Sequence, residues 1–293
     1  MSNPLRRGSI IAALCVAAAV VTGCSVIRLG YGQADALVFR WLDAYVDFDG
    51  AQSSRTHEAL DRWFAWHRRT QLPDYADLLT RVDAEVLADT TPERVCGWWG
   101  EARERIDRGA ERALPAIADV VVTLKPEQLQ GIEKRYAKTN AEFRDDVVTA
   151  EPAKRMRETV KRVAGRAEWV YGDLDSGQRE LLTRWVGDSP SDPVAALDER
   201  RHRQQESLQM LRRVTGGTVA PAEAEAEVRT WLQHLERSPR EAYRVRADRI
   251  VQHNCRMFAA LHNSTSASQR QTASKRLRGW AAELRAMAAD SGA

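Results

Sequence analysis

Residues 37–48 read Leu-Val-Phe-Arg-Trp-Leu-Asp-Ala-Tyr-Val-Asp-Phe, and this stretch decides the fold class. Its large apolar residues Leu37, Trp41, Tyr45 and Phe48 are separated by four, four and three positions. A helix has about 3.6 residues per turn, so this spacing places all four on one helical face. The stretch therefore predicts an amphipathic α-helix.

The same periodicity continues through the rest of the chain. Pro73 and Thr91-Pro92 mark two expected helix starts, and Pro115 is expected to kink or break the second helix. Seven more helices are predicted over residues 126–148, 152–171, 177–187, 193–214, 222–236, 240–262 and 267–289. Val120–Val122 is the best strand candidate and is too short to carry a sheet. We therefore predict an all-α, elongated multi-helix bundle of about ten helices.

The first residues have the order of a bacterial lipoprotein signal. Arg6 and Arg7 precede an apolar stretch that ends at Val21 and is shorter than the roughly 20 residues of a spanning helix. Val21-Thr-Gly-Cys24 follows and resembles a lipobox, in which small residues precede a cysteine that becomes lipidated. The alternative is an ordinary secretory signal in which Cys24 is incidental.

We therefore expect residues 1–23 to be a cleaved signal peptide and Cys24 to carry diacylglycerol and N-acyl lipid, with no other cofactor. Residues 24–32 would form the anchor and a short tether, and residues 33–293 the helical body, with a candidate seam near 189–193. By resemblance to enterobacterial sorting, Ser25 in place of Asp after the lipidated cysteine implies the inner leaflet of the outer membrane. The body would then face the periplasm.

Composition excludes several classes of protein. An apolar content of 43% is enough to bury a core, which argues against a disordered chain. The formal charge is +3, and it falls to +1 when Arg6 and Arg7 leave with the signal peptide. A nucleic-acid binder usually shows a clear basic excess, so we expect no nucleic-acid partner.

Two cysteines remain after the signal and the anchor are assigned, Cys96 and Cys255. In an oxidising compartment they could form a disulfide across a loop of about 160 residues. Two buried free thiols are the alternative.

Motifs that carry catalytic chemistry are absent from the sequence, including H-E-x-x-H, C-x-x-C and G-x-S-x-G. We therefore predict a protein that is not an enzyme and has no metal site. The best candidate functional patch consists of Trp41, Asp43, Asp47, Trp63 and Trp66. The Trp residues would otherwise be core.

The two Asp residues of this patch are four positions apart. They could act in acid–base chemistry or bind a cation together with His57 or His67. Otherwise they would pair with Arg62, Arg68 or Arg69, with Asp49 capping a helix.

Arginine-rich segments near residues 200–213 and 237–249 contain interleaved acids, which predicts salt-bridged surfaces. Contact with anionic lipid headgroups is the alternative for these segments.

Three predicted helix starts share a hydrophobic or Thr residue, a capping position, two spacers and Gln. They are Leu124–Gln128, Leu174–Gln178 and Thr265–Gln269. This order is similar to the Leu-Thr-x-x-Gln motif of the Spy-type periplasmic chaperones. It is also what a capping box requires, because Gln reaches back to the backbone N–H of the capping residue.

The chain also resembles a family of uncharacterised proteobacterial lipoproteins, a domain of unknown function. The segments that carry this resemblance are Tyr31–Asp35, Trp41–Phe48, Gln71–Tyr75, His262–Thr265 with Gln269, and Leu277–Trp280. The resemblance implies an anchor and a fold, and no activity. We therefore expect a lipid-anchored scaffold, an envelope-maintenance factor or a protein that binds other envelope proteins or unfolded polypeptides. A Spy-like holdase is the alternative, and a metal-binding or hydrolytic protein that uses Asp43 and Asp47 is the second alternative.

Overall fold

The computed structural model describes residues 25–216 and 219–290, and its regular structure in these ranges is helical throughout. The eleven α-helices are α1 Ser25–Tyr31, α2 Ala34–Val46, α3 Gly50–Glu85, α4 Pro92–Val121, α5 Pro126–Phe143, α6 Pro152–Tyr171, α7 Ser176–Gly187, α8 Pro193–Val214, α9 Pro221–Glu236, α10 Glu241–Asn263 and α11 Ala267–Ala289. A π-helical turn, Arg144–Val148, extends α5. The all-α prediction is confirmed, whereas the expected signal peptide and Cys24 lie outside the described residues.

Local sequence accounts for most helix starts. A side-chain oxygen of Asp49, Thr91, Asp175, Asp192 or Ser266 accepts a backbone N–H in the first turn of the helix that follows it. Proline occupies the first position of α4, α5, α6, α8 and α9, where its missing N–H costs nothing. All seven helices predicted after residue 125 begin within one residue of their expected positions, and these signals explain six of the seven starts, the exception being α10.

Pro73 does not start a helix, and Pro115 does not break one. Pro73 lies inside α3, which continues for 36 residues or about 54 Å, and Pro115 lies inside α4, which is 30 residues long. A proline removes one backbone hydrogen bond, but neighbouring helices can hold the remaining turns in place. The helix α3 packs against α2, α4 and α11, so its helical state is supported on several sides.

Helical structure also begins earlier than the pattern predicts, at Ser25 and not near Gln33. The helix α1 is attached to the body at two points. Arg28 pairs with Asp290 just beyond α11, and the Tyr31 hydroxyl lies 2.8 Å from His67 Nδ1 in α3.

The helices α3 and α11 form the long axis of the bundle, and they run antiparallel. Arg270 pairs with Asp89, Arg278 with Asp83 and Arg285 with Asp77, so residue numbers rise on one helix as they fall on the other. The largest apolar cluster lies near one end of the molecule, between α4, α5, α8 and α9. Two smaller clusters lie toward the other end, among α6, α7, α10 and α11.

A disulfide joins the start of α4 to the middle of α10. Cys96 and Cys255 have Cα atoms 5.5 Å apart and are bonded through their sulfurs. The bond links segments 159 positions apart in sequence, so it fixes α10 against α4. Within residues 25–216 and 219–290, none of the helices is both long and apolar enough to cross a membrane.

Candidate interaction surface

Two interhelical turns meet at the end of the bundle where α3 and α5 begin, and we call each turn, together with the first turn of the helix that follows it, a chain corner. Gln52 lies in the first turn of α3 and Gln128 in the first turn of α5. The Gln128 Nε2 donates to Gln52 Oε1 over 2.7 Å, and the Gln52 Nε2 donates to Gln128 Oε1 over 3.1 Å. We call this reciprocal contact the first glutamine pair.

Each amide of the first glutamine pair has two further partners. The Gln52 Oε1 accepts the N–H of Asp49, and its Nε2 donates to the carbonyl of Thr123 over 2.8 Å. The Gln128 Oε1 accepts the N–H of Lys125, and its Nε2 donates to the carbonyl of Asp47 over 2.9 Å. Because N–H groups only donate and carbonyls only accept, these contacts fix the orientation of both amides.

A second glutamine pair, Gln178 with Gln269, repeats this arrangement where α7 and α11 begin. The two amides exchange hydrogen bonds of 2.8 and 2.9 Å. They also donate to the carbonyls of Ser264 and Asp173, and they accept the N–H groups of Ser266 and Asp175. In all four corners the accepting carbonyl lies two residues before the capping residue.

The structure therefore contains four copies of the helix-start motif, whereas the sequence pattern predicted three. The missed copy is Phe48-Asp-Gly-Ala-Gln52, which has the predicted order of apolar residue, capping residue, two spacers and Gln. The spacing of these residues would have been sufficient to predict the fourth copy. At the corner without a short cap, the Lys125 ammonium lies 2.9 Å from the Asp49 carboxylate of the partner corner. The Gln52 N–H and this ammonium lower the pKa of the Asp49 carboxyl.

Buried histidines bind tyrosines in both halves of the bundle. The His262 ring is almost fully buried, and its Nε2 lies 2.8 Å from the carbonyl of Ala88. Because that carbonyl can only accept, Nε2 carries the hydrogen, and Nδ1 accepts from the Tyr171 hydroxyl over 2.8 Å. Burial lowers the pKa of His262 and raises the pKa of Tyr171.

The His67 ring is held in a similar aromatic environment at the middle of α3. Its two ring nitrogens lie 2.8 Å from the Tyr31 hydroxyl and 3.3 Å from the Tyr75 hydroxyl. Trp63 stacks on the imidazole at a centroid distance of 4.7 Å, and its indole N–H donates to the carbonyl of Gly109. Burial lowers the pKa of His67. These contacts hold α1, α3 and α4 together.

The structure gives the candidate residues Asp43 and Asp47 roles in a chain corner. The Asp43 Oδ1 accepts the N–H of Phe48 over 3.0 Å, and Asp47 adopts a left-handed conformation with φ of 56°. The expected partners of these carboxylates have other contacts, since Arg62 lies near Glu58 and Arg68 lies over the Tyr31 ring. In the described part of the chain, no three His, Cys, Asp or Glu side chains are grouped so that they could hold a metal ion.

The tryptophans are only partly in the core: six are half-buried, and two of these, Trp231 and Trp280, pack against the apolar clusters. None of the nine is buried, and Trp41, Trp99 and Trp169 are 61%, 47% and 60% exposed. The core consists mainly of Leu, Ala and Val, because helices that pack closely leave room for small aliphatic side chains. Trp169 stacks on Trp280 at 4.2 Å, so α6 and α11 present a double aromatic face at the surface.

A second group of outward-facing apolar residues lies on the first two helices. We call Leu29, Leu37, Val38 and Trp41 the N-terminal apolar surface, and all four are exposed. The opposite side of α2 packs against α3 and α5. Ala44, Tyr45, Lys134, Arg135 and Lys138 contribute to the lining of a groove of about 380 Å³ between α2 and α5.

The arginine-rich segments of α8 and α10 are largely paired with acids or backbone carbonyls. Arg203 binds Glu199, and Arg240 binds both Glu199 and Asp198. Arg246 binds Asp192 at the loop between α7 and α8, where the sequence predicted a seam. These contacts agree with the prediction of salt-bridged surfaces.

The fold and its corners define an all-α protein in which two reciprocal glutamine pairs fix the ends of long helices. The model of a family of unknown function, DUF6279, matches residues 44–244, and the chain belongs to that family. The match contains the first glutamine pair and Gln178, whereas Gln269 and the N-terminal apolar surface lie outside it. None of the curated proteins and none of the solved structures compared matches this chain.

Proposed function

We propose that this protein is a lipid-anchored, periplasm-facing envelope protein that acts by binding other polypeptides and not by catalysis. The anchor would be Cys24, with the body below the inner leaflet of the outer membrane. The attachment of α1 to the body supports this, since only about 10 Å of helix separates Ser25 from Tyr31, which contacts His67. An anchor at Cys24 would therefore hold the body at a short and fixed distance from the bilayer.

The cysteine arrangement supports an envelope location. A disulfide such as Cys96–Cys255 persists in an oxidising compartment and is reduced in most cytosols. It fixes α10 against α4.

The observation that carries the proposal is the position of the tryptophans. Trp63, Trp231 and Trp280 pack within the bundle, whereas the side chains of Trp41, Trp99 and Trp169 face outward, where they add little to the core. Large aromatic residues contribute much of the binding energy at protein interfaces. The stacked pair of Trp169 and Trp280 is flanked by Arg276, whose guanidinium donates to the carbonyls of Glu168 and Trp169. An aromatic face next to a cation suits a polypeptide with mixed apolar and acidic side chains.

An aggregation assay tests this proposal. The chain from Ser25 onward is mixed with a client protein diluted out of guanidinium, and light scattering is followed without reductant so that Cys96–Cys255 stays intact. We expect scattering to fall at about equimolar protein. Trp169→Ala with Trp280→Ala should weaken the effect several-fold.

Val194→Ala is the matched control, because Val194 is 63% exposed and lies on α8, away from the aromatic face. Absence of suppression at several-fold molar excess would refute binding of unfolded polypeptides. If the Trp double variant and the control lost equal amounts of aggregation suppression, polypeptide binding could not be assigned to the aromatic face.

A Spy-like holdase is the second candidate. The observation that favours it is that the motif similar to that of the Spy-type chaperones occurs four times, in two reciprocal pairs. A holdase should suppress the aggregation of several unrelated clients, whereas a scaffold should form one stable complex. Repeating the assay with clients of different size and charge separates the two.

A further inference from the structure

We propose that the N-terminal apolar surface is a second, protein-borne membrane contact that lies on anionic phospholipid. The occupant of this surface is the bilayer interface itself. The proposal rests on the proposed function, because the anchor at Cys24 is what brings the surface to the bilayer. It also specifies how the protein is oriented on the membrane: α1 and α2 would lie along the bilayer surface, and α3 would form the next layer away from it.

The exposed face of α2 is unusually apolar for a helix in contact with water. Leu37, Trp41 and Ala44 follow one another at four and three positions and all face outward, and Val38 lies beside them. No side chain of α2 is fully buried, although Phe39 and Leu42 partly face the body. Phe39 stacks on His57 of α3 at 3.8 Å, which fixes the rotation of α2 so that Leu37 and Trp41 point away.

The position in the chain identifies the bilayer as the occupant. Leu29 is five residues from Cys24 and is 65% exposed on α1, which contacts α2. An interfacial helix buries Leu and Trp on its apolar side to a depth of roughly 5–10 Å at the boundary of headgroups and acyl chains. A lipid on Cys24 would already hold such a segment at the bilayer surface.

Several cationic side chains border this surface, among acids that include Asp35 and Asp43 of α2. Arg40 is exposed on α2, and Lys134 and Lys138 are exposed on α5, which packs against α2. The Arg135 guanidinium lies over the Tyr45 ring at 5.3 Å and lines the same groove. Asp47 and Glu127 also line this groove, and Lys138 pairs with Glu142. Arg40, Lys134 and Arg135 are therefore the cations that would contact lipid phosphates.

The second membrane contact can be measured without the lipid. Among the residues that the structure describes, all of the buried ones lie between positions 52 and 287, so a chain that begins at Ser25 retains that core. This unlipidated chain is sedimented with vesicles of phosphatidylethanolamine and phosphatidylglycerol, and with vesicles of phosphatidylcholine. We expect binding to the anionic vesicles that weakens at high salt. Leu37→Glu with Trp41→Glu should reduce the partition coefficient by at least about tenfold.

Val194→Glu with Val245→Glu is the control, because both residues are exposed and lie on α8 and α10. It should leave vesicle binding unchanged, and equal guanidinium midpoints would show that both variants fold. Failure of the unlipidated chain to bind anionic vesicles, or equal binding by both double variants, would overturn the proposal. So would a dimer that Leu37→Glu with Trp41→Glu converts to a monomer while vesicle binding is absent, since the surface would then contact a second copy.

The test is independent of the anchor. Lipidation of Cys24 is read from the mass of the N-terminal peptide of the full chain, and its absence would refute the anchor. Vesicle binding by the chain from Ser25 does not depend on that result, so the two failures are distinguishable.

Discussion

Gln52 and Gln128 lie 76 positions apart in sequence and bind each other through both their amide oxygens and their amide nitrogens. Each oxygen also accepts the N–H of its own capping residue, and each nitrogen also donates to a carbonyl of the other corner. All the hydrogen-bonding positions of the two amides are thus used. The pair joins the start of α3 to the start of α5, and Gln178 with Gln269 does the same for α7 and α11.

The first prediction concerns this pair. Gln128→Ala should lower the free energy of unfolding by about 1–3 kcal/mol, because it removes the side-chain partner of the Lys125 N–H and of the Asp47 carbonyl and two of the four hydrogen bonds of Gln52. Removing both glutamines should cost less than the sum of the single changes, with a coupling of about 0.5–3 kcal/mol. Guanidinium titration of both single variants and the double variant measures this. Gln130→Ala, at an exposed position of α5, is the control, and a Gln128→Ala effect no larger than that of the control would contradict the account.

The second prediction compares two glycines of α6 and its corner. Gly172 has φ of 82° and precedes the cap at Asp175, whereas Gly165 lies inside α6, where an added methyl group would meet open space. Gly172→Ala should therefore lower the free energy of unfolding by about 1–3 kcal/mol, since backbone conformations with positive φ are accessible mainly to glycine. Gly165→Ala should stabilise by about 0.5–1 kcal/mol through its higher helix propensity. The measurement is the midpoint temperature of thermal unfolding, and shifts of the same sign in both variants would contradict this prediction.

The third prediction concerns acid. Burial lowers the pKa of His67 and His262, so the unfolded state binds more protons than the folded state once the pH approaches the ordinary histidine value of about 6.5. Stability should be fully present above that pH and should fall as the pH drops below it. His262→Gln should flatten the decrease between about pH 7.5 and 5. The control is His57→Gln, which removes an exposed histidine, and a parallel loss of slope in both variants would count against the buried ring.

The fourth prediction concerns the disulfide. Breaking Cys96–Cys255 releases a loop of 159 positions and should lower the free energy of unfolding by up to about 4–5 kcal/mol in the chain-entropy model. Guanidinium titration with and without reductant measures the loss, and the Cys96→Ser, Cys255→Ser double variant should match the reduced protein. The chain from Ser25 has no other cysteine, so two thiols that react with an alkylating reagent in that unreduced, unfolded chain would show that the bond is absent.

Much of the fold follows from local sequence. The starts of the helices after residue 125 were predicted to within one residue, because proline at the first helical position or a short polar cap marks all of them except α10. The continuity of α3 through Pro73 was not predictable, since it depends on packing by α2, α4 and α11. The pattern of Leu37, Trp41, Tyr45 and Phe48 predicted the helix α2 and placed all four residues on one helical face. Leu37 and Trp41 face outward, and helical periodicity alone cannot distinguish a buried stripe from an exposed one.

The candidate patch was only partly predictable for the same reason. Asp49 was predicted to cap a helix, and it caps α3. The contact of Asp43 with the Phe48 N–H and the meeting of Gln52 with Gln128 depend on how distant corners approach each other. Spacing showed three of the four corner motifs, but it gave no indication that they interact in pairs.

The central claim is that an anchored helical body binds polypeptides at its outward-facing aromatic residues. The most direct measurement is site-specific photocrosslinking in living cells, with the crosslinker placed at position 169 next to Trp280 and, in parallel, at position 194 on α8. The account predicts discrete products with other envelope polypeptides from position 169 and few or none from position 194, in the membrane fraction only. No products from position 169, or the same products from both positions, would contradict it.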